Sequence, residues 1–391
     1  MKPRQAFAAI LMLASALVPG CQQARRVGGI DSEQEQHFSE IGPVVEAEIE
    51  KGSFPGAVVF VGRGDDILYW EAFGAEVIEP FTEAMDRETI FDLASMTKPI
   101  ATATSVLILS DRGALKLDDY VSMYLPAFGC NGKEQTRIKH LLTHTSGLPA
   151  YTNANELKEQ FGSPCPDKLI EKICGFQAAS VPGEKFRYSC LGYITLAKIV
   201  EVVSGRDIAE FSHRNIYTRL GMKNTAFNPP KSWQRQTAAT EIVQGHLLRG
   251  TVHDPLARLM DGKSGNAGLF SDVYDLSIYC RMLLNRGVWK RRRILSPEAV
   301  AMLTTEQSHG RAFGFDVSSS YSWVKGDHAP DGAFCHTGYT GTSIVCDPAS
   351  GLFVIILTNR AHPHDKGATK PVRKRIADIV FSSLQPTLSA H

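Results

Sequence analysis

The apolar positions of this chain change their period several times. Residues 37–51, HFSEIGPVVEAEIEK, carry them at helical spacing, with Pro43 limiting the helix. Two runs follow, GAVVFVGR and DILYWEAFG, separated by Gly64-Asp65, and they predict a β-hairpin. Residues 95–113, SMTKPIATATSVLILSDRG, predict a helix with Pro99 tolerated in its first turn and Gly113 ending it. From 115 to about 305 strand alternation is absent. Helical stretches such as LGYITLAKIVEVVSG, SDVYDLSIYCRMLLNRG and SPEAVAMLTTEQ are punctuated there by Gly, Ser or Pro. Short β-rich runs return from Phe313 (FGFDVS, AFCHTG, TSIVCD, GLFVIILTN), and Thr369 to Leu384 predicts a closing helix. The two ends therefore look like helix plus antiparallel sheet, and the middle looks mostly helical, an α+β pattern.

The N-terminus adds a compartment. Met1-Lys2-Pro3-Arg4 is basic and precedes the apolar run Ala6 to Val18. That run is shorter than the ~20 residues a spanning helix needs, so residues 1–20 read as a signal peptide. Leu17-Val18-Pro19-Gly20-Cys21 is similar to a bacterial lipoprotein cleavage box, although Pro19 departs from it. The similarity implies a lipid on Cys21, a membrane anchor and a location in the envelope facing the periplasm. Residues 21–36 are expected to be a polar tether and 37–386 the functional domain.

Charge narrows the function classes. The chain has 42 Lys+Arg against 41 Asp+Glu, and loss of Lys2 and Arg4 with the signal leaves 40 against 41. Nucleic-acid binders need a basic excess, so no nucleic-acid partner is expected. Lys290-Arg291-Arg292-Arg293 reads as a solvated inter-helix loop. Eight cysteines are too few for a disulfide scaffold. Cys130, Cys165 and Cys174 could pair, as could Cys335 with Cys346 if register sets them opposite; free buried thiols are the reading taken. There is no HExxH, CxxC pair or GxSxG, and no metal or other cofactor is expected.

Ser95-Met96-Thr97-Lys98 is a Ser-x-x-Lys, and Ser322-Trp323-Val324-Lys325 is a second. Context separates them. Ser95 stands where an extended segment meets a helix, so Lys98 shares its face and the helix terminus favours developing negative charge. A buried Lys with a depressed pKa can take the hydroxyl proton. Ser322 falls in a β-like stretch, where i and i+3 point to opposite faces. Two further sites accompany Ser95: Tyr188-Ser189-Cys190 after the Pro182-Gly183 turn, and His336-Thr337-Gly338 at the end of a short strand. The glycine there permits close backbone approach to a ligand.

In the order Ser95, Tyr188, His336 these motifs resemble the serine β-lactamase and penicillin-binding protein superfamily, in its class C β-lactamase-like branch with the family VIII esterases. ETIFDLASMTKPIATA, IKHLLTHTSGLPAY, VPGEKFRYSCLGY, NAGLFSDVYDLSIYCRMLLNRG and HTGYTGTSIVCDPASGLFVIILTNRAHP extend the resemblance over roughly 40–385. It implies that Ser95 is the acylated nucleophile, Lys98 its base and Tyr188 the proton shuttle. It also implies an oxyanion hole from the backbone N–H groups of Ser95 and Tyr339, with His336, Thr337, Gly338 and position 190 facing substrate. Two residues depart from the class C pattern. Cys190 replaces an Asn and cannot offer an amide's donor and acceptor together. His336 replaces a Lys and anchors a carboxylate less strongly; Arg360 is a candidate for the missing charge. The expectation is a serine acyl-hydrolase acting on a small ester or amide, such as a peptidoglycan fragment, a D-amino-acid peptide or a β-lactam. Esterase or peptidase activity ranks above β-lactamase activity. The alternative is a penicillin-binding or peptidoglycan-sensing lipoprotein that does not turn over.

Overall fold

The computed structural model describes residues 32–384; the signal peptide, Cys21 and most of the expected tether lie outside the described residues. Its first helix, Ser32–Phe38, begins inside the stretch expected as tether, and a second, Ile41–Glu50, carries Pro43 in its first turn. The hairpin forms as expected: β1 (Gly56–Arg63) and β2 (Asp66–Val77) flank Gly64-Asp65, with Gly64 at φ +53. A short β3 (Glu83–Ala84) follows. Almost two hundred and fifty residues later the chain returns with β4 (Phe334–Thr337), β5 (Ser343–Cys346) and β6 (Leu352–Thr358). The main sheet has the order β4-β5-β6-β1-β2-β3. Its seam joins the two chain ends, β1 pairing antiparallel with β6 through Val59↔Ile356.

Both faces of this sheet are covered, which is why β1 and β6 read as nearly unbroken apolar runs. On one face Val59, Val61, Val345, Val354 and Ile356 pack against Ile41 and Val45 of the helix Ile41–Glu50 and Ile376 and Val380 of the helix Lys370–Ser382. On the other, Val58, Phe60, Ile344, Phe353 and Ile355 meet Leu107, Leu276, Tyr279 and Met282. The period of two thus sorts one strand's side chains into two cores.

Some expectations are corrected. FGFDVS forms no strand; it is held by isolated bridges, Arg311↔Asp316 and Asp316↔Cys335. Ser322–Lys325 is a 3₁₀ turn, not an extended segment. The reading of free thiols is met: all seven described cysteines are free, so Cys130, Cys165 and Cys174 do not pair. The register sets Cys335 opposite Val345 and Cys346 opposite Phe334, and the two thiols enter different cores. The basic run Lys290–Arg293 is exposed between the helices Val273–Leu284 and Pro297–Thr304, as expected, and there Val288–Trp289 pairs with Arg292–Arg293 in a tight hairpin.

Candidate active site

The site is built where the main sheet meets a small three-stranded sheet. There Phe91–Asp92 and Ala226–Phe227 flank Leu269–Ser271. The chain leaves Asp92 through Leu93 into a 3₁₀ turn, Ala94–Met96, which continues as the π-helical Lys98–Ala103 and the α-helix Thr104–Asp111. Ala94 has φ +46, a conformation rare for a residue with a Cβ, and Asp92 Oδ1 accepts its N–H at 2.9 Å. Backbone strain and a π-helical turn at one point are features that collect at functional sites.

Lys98 is fully buried and its ammonium has three partners. It donates to Ser95 Oγ at 3.0 Å and to Asn266 O at 3.0 Å, and lies 3.5 Å from Cys190 Sγ. It also sits 4.9 Å from the Tyr188 ring centroid. Burial, the largest influence, disfavours the ammonium, while ionised Cys190 and Tyr188 favour it enough that the balance lies above the ordinary lysine value. Burial also holds Cys190 above its own ordinary value. At neutral pH Cys190 is therefore a thiol, and its share of the lift is withdrawn. The depressed lysine expected from sequence is thus corrected: the balance of burial against these neighbours lies above the ordinary value, not below it.

Tyr188 stands between two rings, His144 at 4.4 Å and Tyr321 at 5.1 Å between centroids. Cys190 opens the helix Cys190–Ser204, capped by Ser189 Oγ, which accepts from Gly192 N. His336 on β4 is buried, and its Nδ1–H donates to Thr337 O at 2.9 Å. Burial and the charges of Arg311 and Lys98 hold it well below the ordinary histidine value, so it is a neutral imidazole.

Gly338 has a different reason from the one expected. A Cβ there would lie 2.1 Å from Thr342 Oγ1 and 2.4 Å from Leu93 O, so the close approach is to the chain before the nucleophile. Thr340 Oγ1 donates to Asp92 O at 2.7 Å and Thr342 Oγ1 to Leu93 O at 3.1 Å. These bonds fasten the loop carrying Tyr339 to the turn carrying Ser95. Arg360 reaches the cleft with Nε and Nη1 engaged: Nε bonds Tyr339 O, and Nη1 bonds Gly367 O at 2.9 Å and Asp365 at 3.1 Å. Its guanidinium also stacks on the Tyr339 ring at 4.2 Å. It clamps the Tyr339 loop rather than offering the spare charge expected of it.

The structure thus brings Ser95, Lys98, Tyr188, Cys190, His336, Thr337, Gly338, Tyr339 and Arg360 together. The cleft they shape holds about 270 Å³. Two larger cavities, of about 680 and 600 Å³, share Tyr274, Ile278, Trp289 and Lys290 and exclude these residues. Sequence reasoning missed Asn266, His144, Arg311, Asp316 and Tyr321. Of these, His144 lay in IKHLLTHTSGLPAY, Asn266 opened NAGLFSDVYDLSIYCRMLLNRG and Asp316 lay in FGFDVS, all segments already singled out, whereas Arg311 and Tyr321 lay in none. Among the described residues no cluster could hold a metal ion.

This geometry is accompanied by a family match: the Beta-lactamase family profile covers residues 41–378. The chain belongs to that family and is a serine hydrolase of it. Among similar proteins is an N-acetylmuramyl-L-alanine amidase of Bacillus subtilis, 33% identical over 356 residues, covering 82% of this chain and 80% of that protein. Among solved structures, EstCE1, a hydrolase with promiscuous acyltransferase activity, aligns with a TM-score of 0.72 at 23% identity, covering 90% of this chain and 100% of the other. A class C β-lactamase from Rhodobacter sphaeroides aligns at 0.69 and 22% identity, covering 88% and 99%. At those identities the two structures establish the fold, which is class C β-lactamase-like.

Proposed function

We propose that this protein hydrolyses small esters or amides, with a peptidoglycan-derived peptide as the natural class, through an acyl-enzyme on Ser95. The observation that carries the reading is Lys98 Nζ, buried and 3.0 Å from Ser95 Oγ inside the cleft. Ser95 Oγ attacks the carbonyl carbon while its proton passes to the amine of Lys98. The N–H groups of Ser95 and Tyr339 hold the oxyanion, a contribution of about 3–4 kcal/mol per donor in other enzymes. When the C–O or C–N bond breaks, the Tyr188 hydroxyl protonates the leaving group. The resulting phenolate takes a proton from water, whose hydroxide attacks the acyl carbon. Ser95 leaves with the proton held by Lys98, and the cycle closes.

An amide of peptidoglycan is favoured by the amidase relative, and a compact acyl group by the cleft of about 270 Å³. Cys190 and the neutral His336 weigh against strong β-lactam hydrolysis. Intact-mass spectrometry with a p-nitrophenyl ester and with a penicillin tests the reading, using Ser95→Ala as control. Turnover of the ester with a transient Ser95 adduct is expected. A persistent adduct without turnover would make the protein a penicillin-binding sensor instead, and no Ser95-dependent adduct would sink the nucleophile assignment.

A further inference from the structure

The wall behind Tyr188 holds a charge that this scheme leaves unassigned. Arg311 is fully buried, and its guanidinium carbon lies 5.9 Å from the centroid of the Tyr188 ring. It pairs with the carboxylate of Asp316, which itself lines the cleft. Among the described residues its Nε and Nη2 make no well-aligned hydrogen bond, and Tyr193 and Tyr188 are the next polar groups it faces. A guanidinium has five donors, and withdrawing one from water is expensive. A purely structural arginine would be expected to engage more of them.

The titratable and charged groups facing Tyr188 come from every element packed around it. Lys98 comes from the nucleophile helix and His144 from the segment after the helix Ile138–Leu142. Cys190 and Tyr193 belong to the helix Cys190–Ser204, and His336 to β4 at 6.5 Å between rings. Arg311, Asp316 and Tyr321 come from the connection leading to β4. Burial keeps both histidines neutral. Lys98 gains and loses a proton in the proposed cycle. Arg311 is the one cation of this set that cannot, because a guanidinium does not deprotonate in proteins.

We propose that Arg311 is a positioning residue that stabilises the phenolate of Tyr188, supplying the fixed positive charge that His336 does not. This rests on the acyl-enzyme reading above. The relevant step begins when the Tyr188 O–H bond breaks and its proton leaves with the alcohol or amine. The phenolate then persists beside Arg311 until it takes a proton from the deacylating water. Asp316 partly offsets the guanidinium, and that gives the proposal its sign.

The experiment follows p-nitrophenyl acetate hydrolysis against pH in the wild type, Arg311→Met, Arg311→Lys and Asp316→Asn, recording both the burst and the steady state. p-Nitrophenolate leaves without needing a proton, so the burst should persist in all four. In Arg311→Met the limb of the kcat profile governed by Tyr188 should move up by about one pH unit, and kcat at pH 7 should fall about tenfold. In Asp316→Asn the limb should move down, and Arg311→Lys should stay near wild type. A fold defect cannot produce shifts of opposite sign, and if Arg311→Met does not fold, the other two variants carry the test. Limbs that stay put, or move in the same direction, with the burst intact would overturn the role of Arg311. Loss of any Ser95-dependent burst in the wild type would overturn the underlying reading instead.

Discussion

Two segments of this protein carry the same spacing of serine and lysine, and only one of them forms a reactive pair. Ser95 and Lys98 meet at 3.0 Å. Ser322 and Lys325 also stand three residues apart on a helical turn, where i and i+3 side chains eclipse. Yet Lys325 turns away, donating to Val317 O at 2.6 Å and Ala333 O at 3.1 Å. Backbone geometry contributes, since Ser95 and Lys98 meet across a 3₁₀-to-π junction behind the strained Ala94 while Ser322–Lys325 is a single 3₁₀ turn. The other difference lies in what surrounds the lysine: Lys98 is enclosed by Asn266 O, Cys190 and Tyr188, which leave Ser95 as its remaining partner, whereas Lys325 has two nearer carbonyls. A Ser-x-x-Lys becomes a nucleophile and base only where other chain segments take up the rest of the lysine's donors.

The comparison breaks most readily through substitution at both places. Ser95→Ala and Lys98→Met should each lower kcat for an activated ester by at least about a thousandfold, because nucleophile and base act as a unit. Ser322→Ala and Lys325→Met should leave kcat within about threefold. Denaturant unfolding should show the reverse order. Lys325→Met strands two carbonyls and should cost about 2 kcal/mol. Lys98→Met removes a buried charge retained for function and should leave stability unchanged or higher. A Lys325 variant that loses activity while keeping its unfolding midpoint would overturn the distinction.

Much of this was legible in the sequence, and the reasons differ from place to place. The hairpin at Gly64-Asp65 and the runs of β1 and β6 declare themselves because local period and turn chemistry suffice. The pairing of β1 with β6 is non-local, and only the resemblance implied a sheet shared by both chain ends. Ser95, Lys98, Tyr188 and His336 stood out as motifs. Arg311 and Asp316 did not, because a buried ion pair in an irregular connection has neither period nor punctuation. Arg360 was misjudged for a related reason: sequence can place a cation near a cleft but cannot show that Tyr339 O, Gly367 O and Asp365 already engage it. Gly338 was flagged correctly as a close approach, but the partner was the protein's own Leu93.

The electrostatics around the reactive pair give a pH prediction with a definite sign. His144 and His336 are held well below the ordinary value, chiefly by burial, so both are neutral in the folded protein. The unfolded chain binds their protons as pH falls through about 6.5. Stability should therefore be fully present above that pH and decline below it. Urea unfolding at pH 7.5 and pH 5.5 should show the drop, and His336→Gln should make the drop smaller.

The smallest effect belongs to Cys190, the third partner of Lys98. Its thiol lies 3.5 Å from the ammonium. An amide at this position would keep an acceptor near Lys98 and add an N–H directed toward bound substrate. Cys190→Asn should therefore raise the acylation rate with a penicillin. One additional hydrogen bond contributes about 1 kcal/mol, or about fivefold. Hydrolysis of p-nitrophenyl acetate, which has no acylamide group to hold, should change less than that. Stopped-flow acylation of both variants at one pH measures the ratio. If penicillin and ester respond equally, position 190 acts on Lys98 and not on the substrate, and the contrast between the two Ser-x-x-Lys segments would then rest on the lysine's environment down to this single thiol.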